Sequence, residues 1–287
     1  MNFAVIGNPV AHSLSPDLHN WIFKQLGIDA HYKKIETTRD GIPDIISRLR
    51  RGQLNGINVT LPHKQEIIPY LDSVNPRAQL IHVVNCVAIQ DKKLTGYNTD
   101  WFGFITALEQ KKIDVKGKIC LILGAGGVAR SVLYSLIQYR AQKIILASRI
   151  IKKGKTLIKS LSPFFKKTVV ISISFNEIEQ YISKDCVIIN CTPVGMTPDS
   201  SVSPLAKQLL QKEQILIDTI YNPINTKFLM DGQALGVKTL GGLTMFIYQG
   251  IASLELWLNN AVRENVNINE LKEYLQSQIE STQLIEA

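Results

Sequence analysis

Ile119-Cys120-Leu121-Ile122-Leu123-Gly124-Ala125-Gly126-Gly127-Val128-Ala129-Arg130 decides the fold: an apolar run of strand length, a glycine turn, then a helical run from Ser131 to Tyr139. The turn carries the Gly-x-Gly-x-x-Ala spacing of a loop that binds a dinucleotide between a strand and a helix. Gly124 permits the tight turn, Gly126 lets backbone N–H groups approach a pyrophosphate, and Ala129 is small enough for the helix to pack on the strand. A plain glycine turn is the alternative, and the strand before it and helix after it weigh against that. Folds selective for NAD carry an acid about 20 residues further on, where it binds the ribose 2′-hydroxyl. This chain has Ser148-Arg149 there instead. A carboxylate repels a 2′-phosphate, whereas a guanidinium holds it through paired hydrogen bonds, with Lys152 or Lys153 in support. NADP(H) is therefore the expected cofactor, the alternative for Arg149 being a solvated residue at a strand end.

Outward from this loop, apolar strand-like runs recur at Lys143 to Ala147, Val169 to Ser174, Val187 to Asn190, Ile215 to Thr219 and Val237 to Leu240, with helical segments between most of them. The first third alternates in the same way: Phe3 to Ile6, Ser15 to Leu26, Tyr32 to Glu36, Ile42 to Arg50, Gly56 to Thr60 and Lys64 to Leu71 read as βαβαβα. Ser15-Pro16 supplies an N-cap and a first-turn proline, and Pro62 is read as starting a later helix likewise. A further strand, Val83 to Ile89, leads through turn residues Lys92 to Gly96 into a helix beginning at Trp101. Alternation of this kind argues for parallel sheets in two α/β domains joined near Asp100 to Gly103. The last amphipathic stretch, Leu243 to Val262, has no strand after it and is a candidate to return to the first domain.

The 287 residues, 45% hydrophobic and 20% charged, suit an ordered globular protein. No apolar run is long enough to span a bilayer, and Met1 to Ala11 lacks the basic start of a secretory signal, so a cytoplasmic protein is expected. Cys86, Cys120, Cys186 and Cys191 lie in or beside strand-like runs without zinc or disulfide spacing, and are read as reduced core residues. The formal net charge of +8 is uneven: no acid falls between Asp114 and Glu177, while Lys143, Arg149, Lys152, Lys153, Lys155, Lys159, Lys166 and Lys167 crowd that stretch. Lacking interleaved aromatics or a nucleic-acid-binding motif, the stretch suits a small phosphorylated ligand, or simply a solvated face.

Three polar clusters fall at strand ends or in the turns after them: His12 to Ser15, Asn58 to Lys64, and Asn98-Thr99-Asp100. Ser13 and Ser15 place two hydroxyls on one side of an extended segment, where they can bind a carboxylate, or Ser15 can cap a helix. Hydride delivery to a ketone builds negative charge on oxygen, which calls for a proton donor. Lys64 as an ammonium, positioned by Asp100, fits that need; the alternative is a surface lysine and a helix-capping aspartate. Of the scattered histidines only His63 lies near this cluster, and no metal is expected.

Together these stretches resemble the shikimate dehydrogenase family. Gly7-Asn8-Pro9-Val10 with His12-Ser13-x-Ser15-Pro16-x-x-His19-Asn20 resembles its opening motif. Asn58-Val59-Thr60-x-Pro62-His63-Lys64 resembles its catalytic-lysine motif, and Gly96-Tyr97-Asn98-Thr99-Asp100-x-x-Gly103 its catalytic-aspartate motif. Gly124 to Arg130 resembles its glycine loop, Asn190-x-Thr192-Pro193-x-Gly195-Met196 its cofactor loop, and Gly242-x-x-Met245 to Gln249 its closing helix. The resemblance implies a substrate carboxylate on Ser13 and Ser15, and ring hydroxyls on Thr60, Asn85, Asp100, Tyr221 and Gln249. It implies Lys64 as acid/base, and Gly124, Ala125, Gly126, Gly127, Val128, Ala129, Ser148, Arg149, Lys153, Thr192 and Gly242 on the cofactor side. The expected architecture is a discontinuous substrate domain, 1–100 plus 242–287, a Rossmann domain, 101–241, and an active site in the cleft between them. The expected activity is NADPH-dependent reduction of 3-dehydroshikimate to shikimate, a step towards chorismate and the aromatic amino acids, by a monomer or homodimer without nucleic-acid or membrane partners. Alternatives are an NAD-preferring quinate/shikimate dehydrogenase and a non-catalytic dinucleotide sensor. One departure is visible: many NADP-using members carry Asn-Arg-Thr where this chain has Ser148-Arg149-Ile150, which implies weaker discrimination against NAD.

Overall fold

A computed structural model describes residues 1–165 and 167–286, the side chains of 282–286 excepted; Lys166 of the basic stretch lies outside the described residues. The chain forms two compact units, Met1–Gly103 with the chain from Ile247 onward, and Phe104–Phe246. It passes from one to the other within two helices.

The first unit opens with β1 (Asn2–Gly7), α1 (Ser15–Gln25), β2 (His31–Glu36), α2 (Ile42–Arg50) and β3 (Gly56–Val59), and continues with β4 (Ser73–Val74), α3 (Pro76–Ile81), β5 (Cys86–Gln90), β6 (Lys93–Tyr97) and the start of α4 (Asp100–Gln110). In α2 the buried residues Ile42, Ile45, Ile46 and Leu49 recur at the spacing of one helical face. They join Ala4, Ile6, Ile57, Val59, Val84 and Val87 from the strands in one apolar core. The strand order is β2-β1-β3-β5-β6-β4.

This sheet is mixed rather than parallel: β5 runs antiparallel to both β3 and β6. The expected turn at Lys92 to Gly96 is in fact β6, paired Val87↔Gly96 and Ile89↔Leu94. A tight turn at Asp91 and Lys92, both with positive φ, closes the hairpin. The helix expected over Lys64 to Leu71 is not formed. Residues 61–67 are turns followed by a short 3₁₀ segment, Ile68–Tyr70. Pro69 removes a donor and disfavours α conformation in the residue before it. The Lys64 carbonyl, moreover, is taken by the Val84 N–H at 2.8 Å instead of by a helical partner.

The second unit completes α4 and adds β7 (Ile119–Leu123), α5 (Gly127–Gln138), β8 (Lys143–Ala147), α6 (Ile151–Leu161), β9 (Val169–Ile173), α7 (Ile178–Tyr181), β10 (Val187–Asn190), β11 (Ile215–Asp218), α8 (Lys227–Gln233), β12 (Lys238–Leu240) and the first turn of α9 (Leu243–Leu258). All pairings are parallel, in the order β12-β11-β10-β7-β8-β9. The order reverses between β7 and β10, the switch point at which doubly wound sheets bind ligands. Leu121, Leu123, Ile145, Ile188, Leu216 and Phe228 head its core, strands buried on both faces as parallel sheets require. The rest of α9 returns to the first unit, where Trp257 donates to the Val87 carbonyl at 3.0 Å, and α10 (Ile268–Glu286) packs beside α1. No helix among the described residues is long and apolar enough to cross a membrane.

Candidate active site

In the first unit the strand directions decide which residues meet. β1 and β3 are parallel, β5 is reversed, and β6 reverses again, so Asn58, Cys86 and Tyr97 stand side by side in register. The segments after β1, β3 and β6 and the residue before β5 therefore share one sheet edge, and they carry Ser13, Lys64, Asp100 and Asn85. Lys64 donates to Asp100 Oδ2 at 2.7 Å, with both side chains about a tenth exposed or less. The other carboxylate oxygen, Oδ1, accepts from Asn85 Nδ2 at 2.9 Å. Each oxygen thus has one protein partner and keeps a lone pair for a further donor, while two of the three ammonium donors have no protein partner among the described residues. The capping alternative for Asp100 is answered directly: Asn98 Oδ1, not Asp100, accepts from the Trp101 N–H at 3.2 Å, and the helix begins at Asp100 rather than Trp101.

Asn85 is the hub of a wider network. Its amide nitrogen also reaches Thr99 Oγ1 at 2.9 Å and Gln249 Oε1 at 3.3 Å, and its oxygen accepts from the Thr99 N–H at 2.6 Å. Behind it, Ser253 Oγ meets Thr99 Oγ1 at 3.1 Å and accepts from Asn58 Nδ2 at 2.9 Å, and Tyr32 donates to Asn58 Oδ1 at 2.8 Å. Satisfied buried networks of this kind hold their members in one arrangement. Ser253 gave no signal in the sequence, being a small residue on an apolar helix.

Ser13 Oγ donates to Ser15 Oγ at 3.1 Å and accepts from the Ser15 N–H at 3.3 Å. Ser15 is not the N-cap: Leu14 holds that position and no side chain caps the helix. The paired hydroxyls lie at an α-helix N-terminus, which favours an anion. Thr60 is half-buried beside Gly7, and its hydroxyl has no protein partner among the described residues. His63, the rival acid, is buried with Nδ1 on Glu66 Oε2 at 2.7 Å and Nε2 against the Thr37 carbonyl. It anchors the turn that carries Lys64.

In the second unit every strand points the same way, so the segments after β7, β8, β10, β11 and β12 share the C-terminal edge. Gly124 has φ +104°, and a Cβ there would meet the Cys191 carbonyl and Thr192 Cγ2 at 3.0 Å. Only glycine meets both conditions. Around Gly126 a Cβ would find nothing within 4 Å, and no side chain caps α5, which starts at Gly127. A bare helix N-terminus facing open space suits a pyrophosphate. Ala125, Gly127 and Val128 lie in this turn at the start of the helix, and Ala129 is fully buried under it.

After β8, Ser148 is buried and its hydroxyl donates to the Ile150 carbonyl at 3.1 Å, while Arg149 and Lys153 are exposed without protein partners for their charged ends among the described residues. The residues present thus fit a 2′-phosphorylated dinucleotide. Thr192 is held by Asn190, and Gly242 N donates to the Ile220 carbonyl at 3.0 Å, where a Cβ would strike that carbonyl at 2.6 Å. Tyr221 stacks on Phe246, ring centres 4.3 Å apart. It belongs to this unit, whereas the other expected substrate residues belong to the first.

Cys86, Cys120 and Cys186 are buried free thiols, whereas Cys191, at the sheet edge, is half-buried rather than core. Burial pushes Cys86 up to about 12. Among the described residues there is no cluster of three or more His, Cys, Asp or Glu able to hold a metal.

Burial also raises Asp218, at the end of β11, from 3.8 to about 6, opposed by its hydrogen bonds to Ile220, Thr226 and Asn190. The folded chain then binds the extra proton between those values, so this group's contribution to stability falls as pH rises from about 4 to about 6 and is level above. Thermal melts across that window are expected to show Asp218→Asn gaining on the unmodified chain as pH rises. A constant difference would mean that the carboxyl titrates as in the unfolded chain.

The two units, one with a lysine–carboxylate pair and one with a dinucleotide loop, define a two-unit, dinucleotide-dependent oxidoreductase. Comparison with known proteins names the family. The family model described as "Shikimate dehydrogenase substrate binding domain" matches residues 5–87, and "Shikimate / quinate 5-dehydrogenase" matches 107–227. The shikimate dehydrogenase (NADP(+)) of Clostridium perfringens strain SM101 is 37% identical over 274 residues, 94% of this chain and 98% of that one. A crystal structure of a shikimate dehydrogenase in complex with NADP+ matches at 35% identity and a TM-score of 0.88, over 97% of this chain and 95% of that one. The Thermus thermophilus shikimate 5-dehydrogenase in complex with NADP(H) and shikimate matches at 31% identity and 0.84, over 97% and 99%. The chain belongs to the shikimate dehydrogenase family.

Proposed function

We propose that this chain catalyses the reversible, NADP-dependent reduction of 3-dehydroshikimate to shikimate. The observation that carries the reading is the buried Lys64–Asp100 pair with Asn85 on the second carboxylate oxygen. NADPH, when bound, supplies the hydride. Negative charge then grows on the oxygen of the substrate's ketone, and Lys64 meets it with an N–H that Asp100 does not occupy and gives up the proton. Asp100 holds the ammonium in place and is held in turn by Asn85. In the oxidative direction Lys64 takes the proton back.

Ser13 and Ser15 bind the substrate carboxylate, and Thr60, Asn85, Asp100, Gln249 and Tyr221 sort the ring hydroxyls. We assign the substrate role to residues 1–100 with 242–287 and the cofactor role to 101–241. The Gly124–Ala129 turn with the α5 N-terminus takes the pyrophosphate, Arg149 with Lys153 the 2′-phosphate, and Thr192 and Gly242 flank the nicotinamide side; Ser148 shapes the turn that presents Arg149. Reduced thiols and an NADPH-consuming reaction fit the cytoplasm, with the protein acting as monomer or homodimer.

The test is a set of initial rates with shikimate and with quinate, each paired with NADP⁺ and with NAD⁺. Rapid turnover confined to shikimate with NADP⁺ is expected. Substantial turnover with quinate or NAD⁺ would move the chain to the dual-specificity branch, and silence from a folded protein that binds the dinucleotide would make it a sensor.

A further inference from the structure

Asp218 is 1% exposed and stands in register with Asn190 on the neighbouring strand. Its Oδ1 accepts from Asn190 Nδ2 at 3.1 Å and from the Ile220 N–H at 3.0 Å, and its Oδ2 from Thr226 Oγ1 at 2.7 Å. Asn190 passes the constraint on: its Oδ1 accepts from the Thr192 N–H at 3.0 Å and from Thr192 Oγ1 at 2.7 Å, and Thr192 Oγ1 accepts from the Val194 N–H at 3.2 Å. Thr226 in turn caps α8 through the Leu229 N–H. One carboxylate therefore ties together the turn after β10, which carries Thr192, and the turn after β11, which carries Tyr221.

The position of these turns gives the network its meaning. Thr192 faces Gly124 across the point where the strand order reverses. Arg149, after β8, lies on the other side of that point, the side assigned above to the 2′-phosphate of the adenosine half. We propose that Asp218 is the positioning residue for the nicotinamide half of the cofactor site, acting through Asn190 on Thr192 and through Ile220 on the turn that carries Tyr221. The inference rests on the dinucleotide reading made above. Burial disfavours the ionised carboxyl and its hydrogen bonds to Ile220, Thr226 and Asn190 oppose that, so the anion is held by the same contacts that order the two turns.

Asp218→Asn keeps the shape but replaces the carboxylate with a neutral amide, so the bonds from Asn190 and Ile220 lose their charge assistance and the Thr226 hydroxyl has to turn from donor to acceptor. NADPH binding, followed by fluorescence titration, is expected to weaken about tenfold, the equivalent of one lost charge-assisted hydrogen bond. Binding of adenosine 2′,5′-bisphosphate, which lacks the nicotinamide half, is expected to stay unchanged, and melting above neutral pH not to be lowered. Asp218→Ala should show the same split more strongly, and if it fails to fold the asparagine variant decides alone. Unchanged NADPH affinity in a folded variant, or equal weakening of both ligands, would overturn the positioning role. If the unmodified chain bound neither ligand, the cofactor reading itself would fall, and this inference with it.

Discussion

Lys64→Ala is expected to lower kcat by about 10²- to 10⁴-fold, the range for loss of a general acid or base, with little change in substrate affinity. The geometry explains the asymmetry. Asp100 Oδ1 is held independently by Asn85, and the hydroxyl-bearing residues Ser13, Ser15 and Thr60 are not partners of the Lys64 ammonium, so the binding surface survives its removal. What disappears is the proton donor at the oxygen that becomes an alkoxide. Removing one partner of a buried ion pair also leaves the other uncompensated, which costs roughly 3 kcal/mol or more of stability. The melting temperature should therefore fall too, and rates should be compared well below it. A variant running at full speed would sink the assignment of Lys64, and a raised KM at unchanged kcat would recast it as a binding residue.

Arg149→Ala is expected to raise KM for NADPH by about 10- to 100-fold, the worth of a paired, charge-assisted contact to phosphate, while KM for NADH changes far less. The exposed guanidinium has no protein partner among the described residues, so its loss breaks no internal bond and should leave the melting temperature where it was. Ser148 and Ile150 flank it with little to add. The serine hydroxyl is spent on the Ile150 carbonyl, and the isoleucine side chain, 53% exposed, offers a phosphate nothing. On the function proposed above, discrimination between the two dinucleotides is expected to fall on Arg149, with Lys153 as a helper close by in sequence. Equal effects on NADPH and NADH would mean that Arg149 does not read the 2′-phosphate.

The cofactor half and the substrate half of the proposed site differed in how legible they were. The cofactor half is local: Gly124, Gly126 and Ala129 act within one turn, and their spacing states their geometry. Arg149 needed only the count from that turn to the end of the next strand. The substrate half is not local. Lys64 and Asp100 are 36 residues apart, and their meeting depends on β5 and β6, a hairpin read in the sequence as a strand and a turn. The helix expected over Lys64 to Leu71 failed for a related reason. Apolar spacing proposed it, while Pro69 and a tertiary partner for the Lys64 carbonyl forbade it. Asp218 and Ser253 were missed because a single polar residue in an apolar run announces nothing until its partners are known.

By itself the sequence determined what short-range sterics and periodicity can enforce: parallel α/β alternation in the second unit, the glycine turn, the apolar face of α2, and a basic residue where an NAD-binding fold has an acid. The tertiary structure alone decided what depends on strand direction and register. Reversal of β5 turned the first sheet mixed and brought Asn85 to the same edge as Lys64 and Asp100, and side-by-side register of Asn190 with Asp218 joined two distant turns through one carboxylate. Hydrogen-bond partners are chosen by where strands lie beside one another, and local sequence does not carry that information.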